Sequence, residues 1–70
     1  MAEFPIAPVD RIIRKAGAER VSEQAAEVMA EILEQYAIKI ASMAKLFAQH
    51  AGRKTIVPED IMLALKAQAN

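Results

Sequence analysis

Residues 22–52 read SEQAAEVMAEILEQYAIKIASMAKLFAQHAG, and this stretch decides the fold. Ala25, Met29, Ile32, Leu33, Tyr36, Ile40, Ala44, Phe47 and Ala51 recur at steps of three and four, the period of one apolar helix face. No proline or glycine interrupts the run before Gly52, a residue type that closes helices in the left-handed conformation. At the other end Ser22 is a good N-cap and Glu23 suits the positive end of the helix dipole, although Ala25 at the third position leaves a capping box incomplete. The spacing predicts one unbroken helix of about 29 residues, roughly 43 Å long.

Shorter helices flank it. Residues 1–7 are a short apolar lead, and Pro8 fits a first helical turn, so a helix is predicted over 8–16 with Ile12, Ile13 and Ala16 as its buried stripe and Gly17 as its cap. Residues 18–21 connect it to the long helix. Arg53-Lys54-Thr55-Ile56-Val57 is too short for a sheet strand, and Pro58 pushes Val57 to extended geometry, so this stretch is a second connector. A third helix is predicted from Pro58 to about residue 69, with Glu59 and Asp60 in its first turn and Ile61, Leu65, Leu63 and Ala64 turned inward. The two junctions look alike, each running from Ala-Gly through basic residues into a helix. The match is too short to establish a duplication.

The fold class is therefore all-α, in the order short, long, short, and residues 1–70 are expected to form a single domain. A core this small rarely supplies more than roughly 3 to 5 kcal/mol. With no cysteine and one histidine, neither disulfides nor a metal cage can supplement it, which leaves self-association. The flanking helices, about 14 and 17 Å long, cannot cover a stripe of about 43 Å. Ile32, Leu33, Tyr36, Ala37 and Ile40 lie in the uncovered middle. A second copy crossing there, with small Ala37 and Ala41 at the contact, is the simplest cover, and a long antiparallel coiled coil is the alternative.

The formal net charge is zero, yet the charges are segregated. Arg11, Arg14, Lys15, Arg20, Arg53 and Lys54 fall on the first helix or the connectors, whereas Glu23, Glu27, Glu31 and Glu34 fall on the first half of the long helix. In a head-to-tail dimer the first connector of one chain would meet the second connector of its partner, joining these cations into a ridge suited to phosphates. No aromatic is interleaved for stacking on single strands, and no helix carries a base-reading set of Asn, Gln and Arg. Binding of duplex DNA through its backbone is the expectation. The alternative is that basic residues at helix ends only complement the dipole. No cofactor is expected, and without cysteine or a glycine-rich phosphate loop there is nothing from which to assemble an enzyme. Charges break every apolar stretch before the ~18 residues that a membrane span requires, so a soluble intracellular protein is expected.

Three blocks carry a resemblance: Pro5-Ile6-Ala7-Pro8-Val9-Asp10-Arg11-Ile12-Ile13, then Ala16-Gly17-Ala18-Glu19-Arg20-Val21-Ser22, then His50-Ala51-Gly52-Arg53-Lys54-Thr55-Ile56 followed by Glu59-Asp60-Ile61. With matching gaps between them, the chain closely resembles archaeal histones over essentially its whole length. The resemblance implies the histone fold, a handshake dimer, DNA wrapping by a chain of dimers, and a nucleoid location in the cytoplasm; the eukaryotic octamer is the standard example of such backbone binding. By analogy Arg11 would enter the minor groove, Arg20 would contact Thr55, Lys54 and Thr55 would hold phosphates, and Arg14 and Lys15 would flank them.

The resemblance further implies a contact between dimers built from Phe47, His50, Asp60 and Leu63, with His50 pairing to Asp60 of a neighbouring dimer, and an Arg53–Asp60 pair within the chain. The simpler alternatives are a solvated His50 and an Asp60 that serves only its own helix. Gln49, Val57 and the tail 66–70 depart from the family by lacking expected positive charge, which implies weaker DNA binding and a flatter salt dependence. Met43 and Met62 suggest an additional protein contact, against their common use as gap-fillers. No long basic tail precedes the first helix, so tail-based modification is not expected. The competing function is a histone-fold interaction module that caps assemblies or pairs with another histone.

Overall fold

A computed structural model of the protein describes residues 5–69. The start of the apolar lead, residues 1–4, and the final residue of the tail lie outside the described residues. Three helices follow in order: α1 (Ile6–Lys15), α2 (Glu23–His50) and α3 (Pro58–Ala69). The short, long, short all-α pattern is thus the observed one. The chain divides into two compact units, Met1–Gln35 and Tyr36–Asn70, and α2 contributes to both.

In the first unit, α1 begins two residues earlier than its Pro8 suggested. Pro5, at φ −63° and ψ 138°, is its extended N-cap. Pro8 still falls within the first turn, where backbone N–H groups have no helical acceptor, so its missing donor is harmless. The inward stripe also differs from the expected one. Val9 is buried and packs with Ala26 and Ala30 of α2, with Ile13, Val21, Met29 and Leu33 around them. Val9 and Ile13 are four residues apart and share a face, whereas Ile12 lies about a quarter-turn or more away from it and is 54% exposed. Ala16 is also exposed.

The long helix opens as its sequence indicates. The Ala25 amide donates to Ser22 Oγ at 3.0 Å, satisfying one of the orphan donors of the first turn. Ser22→Ala is expected to lower stability by about 1 kcal/mol, read as a shifted denaturation midpoint at unchanged m-value.

In the second unit, Ile40 and Ala44 of α2 are buried with Ala64 of α3, and Met43 and Phe47 pack against them. Gly52 closes α2 at φ +75°. Its amide donates to the Gln49 carbonyl at 2.9 Å and the Arg53 amide to the Ala48 carbonyl at 2.9 Å, the paired bonds of a Schellman cap. Nothing lies within 4 Å of where a Cβ at Gly52 would stand. Gly52→Ala should therefore cost only the backbone penalty, roughly 1 to 2 kcal/mol, and Gly52→Asn less, both measurable by denaturant titration.

The face of α3 turned inward is a second correction. Asp60 and Ala64 are buried, while Ile61, Leu63 and Leu65 stay largely exposed. The cause is the partners of the Asp60 carboxylate, which lie in the connector before α3; turning Asp60 toward them brings Ala64, one turn later, inward as well. Among the described residues, the buried apolar side chains are Val9, Ile40 and five alanines, Ala26, Ala30, Ala44, Ala48 and Ala64. Alanines bury little area, so most of the hydrophobic gain available to the sequence stays unused in the single chain.

Candidate nucleic-acid interface

The cations of the first unit are not equivalent. Arg14 Nε lies 2.6 Å from Asp10 Oδ1, one turn back on α1, and Arg14 Nη1 donates to the Glu19 carbonyl at 3.1 Å. Arg14 thus ties the end of α1 to the first connector, with its charge partly balanced. Arg11, Lys15 and Arg20 are exposed, and among the described residues they form no ion pair. Among the described residues neither the Arg11 guanidinium, on α1, nor that of Arg20, on the connector, is engaged by another side chain.

In the second unit Arg53 is held firmly. Its Nη1 and Nη2 donate to Asp60 Oδ2 and Oδ1 at 2.7 and 3.0 Å, a bidentate pair, and Nη1 also donates to the Thr55 carbonyl at 3.2 Å. The Val57 amide donates to Asp60 Oδ2 at 2.9 Å. Asp60 is only 1% exposed, but both of its oxygens are satisfied. This arrangement fixes the second connector and leaves Lys54 and Thr55 exposed at its tip. The intrachain pair implied by the resemblance is present. Asp60 also serves its own connector and helix, since the bonds it accepts come from Arg53 and Val57.

The Arg53 hydrogen bond, then the Val57 amide, hold the Asp60 carboxyl below its ordinary range against the opposing effect of desolvation, and Asp60 in turn raises Arg53. A carboxylate whose folded pKa is depressed adds stability that is fully present above the unfolded value, about 3.9, and is lost as pH falls through the folded one. Asp60→Asn should therefore be less stable than wild type near neutrality, with the difference closing as pH falls below about 4. Thermal midpoints of both chains between neutral and strongly acid pH measure this.

The candidate contact residues separate into covered and uncovered. On the middle of α2, Ile32 is 56% and Tyr36 47% exposed, and Ala37 is exposed. Leu33 is partly buried in the first unit's core, and Ile40, at 8%, belongs to the second unit's core. Val28, absent from the sequence-based set, is as exposed as Ile32 and stands four residues before it. Of the set proposed for contact between dimers, Phe47 is partly buried, His50 and Leu63 are exposed, and Asp60 is engaged by Arg53.

A groove of about 380 Å³ lies beside the second connector, lined by Lys45, Ala48, Gln49, Arg53, Lys54 and Ile56. Sequence reasoning placed Arg53 and Lys54 at a phosphate-binding surface but passed over Lys45. The available signal was its spacing: Lys45 and Gln49 are four residues apart on the last turns of α2, just before the Gly52 cap. Among the described residues no group of three or more His, Cys, Asp or Glu side chains is placed to hold a metal ion, and no helix is long and apolar enough to cross a membrane.

Comparison with known proteins agrees with this architecture. Residues 2–65 match the family described as histone-like transcription factor (CBF/NF-Y) and archaeal histone. The chain is 66% identical over 67 residues to a subunit of the archaeal histone HAN1 of Thermococcus zilligii, covering 96% of this chain and 100% of that protein. It is 52% identical over 66 residues to probable archaeal histone 3 of Methanocaldococcus jannaschii, covering 94% and 98%. A more distant relative, histone H2A-like 1 of Mus musculus, is 35% identical over 65 residues, covering 91% of this chain and 62% of its own length. With three helices in the expected order, capped connectors and near full-length similarity, the chain belongs to the histone-fold family that includes the archaeal histones.

Proposed function

We propose that this protein is a DNA-binding histone: residues 1–70 act as one histone-fold domain, two copies form a handshake dimer, and the dimer compacts or wraps duplex DNA in the nucleoid through its backbone and minor groove. The observation that carries this reading is the division of exposed side chains. Large apolar residues of α2, among them Val28, Ile32 and Tyr36, are about half exposed in the single chain, while Arg11, Arg20 and Lys54 are exposed and unpaired among the described residues. The first set calls for a second copy and the second for phosphates. Arg11, Arg20, Lys54 and Thr55 are the proposed direct DNA contacts, with Lys15 beside them. Arg14 and Arg53 hold the connectors in shape while adding to the positive field. Phe47, His50 and Leu63 form the proposed contact between dimers, with Asp60 shaping that end of α3 through Arg53. The protein has no catalytic role.

Titration of two unrelated duplexes over a range of salt tests this. Similar affinities for both, a steep linear fall of log K with log salt, and nuclease-protected fragments that lengthen in dimer-sized steps are expected. A second reading is a histone-fold module that pairs with a different histone or caps an assembly. It draws on the zero net charge and on the Thermococcus relative, whose name makes it a subunit of a histone. Failure to bind duplex at low salt, together with capture of another histone, would select it.

A further inference from the structure

We propose that Lys45 and Gln49 of α2 form, with Lys54, a phosphate-binding groove that extends the second connector's DNA contact along the helix. The proposal rests on the DNA-binding reading and adds to it Lys45, which the sequence reading did not assign, and a donor role for Gln49, which that reading counted only as a missing charge. Three observations carry it. First, Lys45, Gln49 and Lys54 line the same groove, and among the described residues no carboxylate lines it. Second, the groove's third cation, Arg53, is matched by the buried Asp60, so Lys45 and Lys54, which form no ion pair among the described residues, supply its unbalanced positive charge. Third, two of the carbonyls at the end of α2 that would ordinarily repel an anion, those of the lining residues Ala48 and Gln49, are engaged by the Arg53 and Gly52 amides.

The chemistry fits successive phosphodiesters of one strand, one at each lysine. Two ammonium groups supply point charge, the Gln49 amide offers a neutral donor, and Ala48 and Ile56 give the groove apolar walls that lower the local dielectric. With Lys54 at the exposed tip of the connector, a strand held there would continue over Lys45 one or two turns back along α2. None of the described residues lining the groove is aromatic, so they offer no base stack beside a phosphate.

Lys45→Gln removes one phosphate contact per chain, two per dimer. The slope of log K against log salt should flatten by about 1.8, and affinity at about 0.1 M salt should fall by about 60-fold. Lys66→Gln makes the same charge change on α3 outside the groove and should leave the slope near that of wild type. Fluorescence anisotropy with a labelled duplex reads both, after circular dichroism has shown that each variant keeps its helices. A Lys45→Gln chain with the wild-type slope overturns the assignment while leaving the DNA-binding reading intact. A wild type that binds no duplex removes both. As a separate arm, inorganic phosphate is titrated against wild type and Lys45→Gln by NMR; a Lys45-dependent response to inorganic phosphate with an unmoved duplex slope would make this a free-phosphate site and overturn the proposal.

Discussion

Ile32→Asp is expected to leave the chain largely unfolded at micromolar concentration, whereas wild type at the same concentration is expected to be helical and dimeric. In the proposed dimer each Ile32 is covered by the partner's long helix, and burial of a side chain of this size is worth roughly 1.5 to 3 kcal/mol. Aspartate forfeits that gain and brings an unpaired carboxylate into the contact, at several kcal/mol per ion. Both losses occur twice, and their total rivals the 5 to 15 kcal/mol that holds an ordinary domain together. The single chain sets the opposite expectation: Ile32 is 56% exposed there, so a folded monomer would tolerate aspartate with little change. Circular dichroism and sedimentation at several concentrations separate the two, since only an obligate dimer links its folding to concentration.

The second large effect concerns DNA. Arg11→Ala combined with Lys54→Ala removes two exposed cations per chain and four per dimer, without touching either buried cluster. Each lost phosphate contact flattens the salt slope by about 0.9, so the double variant should lose about 3.6 from the slope and more than three orders of magnitude in affinity at about 0.1 M salt. Arg14→Ala should behave differently. Its guanidinium already engages Asp10 and the Glu19 carbonyl, so the loss falls mainly on the order of the first connector and only secondarily on the slope. Filter binding or anisotropy over a salt series measures all three chains.

Punctuation and period were legible in the sequence. Ser22, Gly17, Gly52 and Pro58 mark helix ends through local backbone chemistry, which depends on few neighbours, and the structure places helix boundaries beside each. The inward faces were less legible. An apolar α1 offers Val9, Ile12 and Ile13 alike, and only the position of Ala26 and Ala30 on the neighbouring helix selects Val9. Asp60 reads locally as a dipole partner in a first turn. Its burial follows from a guanidinium seven residues earlier, across the connector, and of the sequence arguments only the family resemblance pointed to that pair. Ile40 read as part of the stripe left for a second copy; it packs on Ala64, itself expected inward, and that contact depends on how α3 folds back, which no local pattern fixes. Lys45 was hidden for the same reason, since a lone lysine on a long amphipathic helix acquires meaning only beside Lys54.

The most direct test is the number of chains bound per duplex, counted by native mass spectrometry on a short DNA at low salt. Complexes carrying two or four copies of the 7.7 kDa chain, with odd numbers absent, are the predicted result. Duplex carrying a single chain, or a folded single chain that leaves the duplex bare, would contradict it.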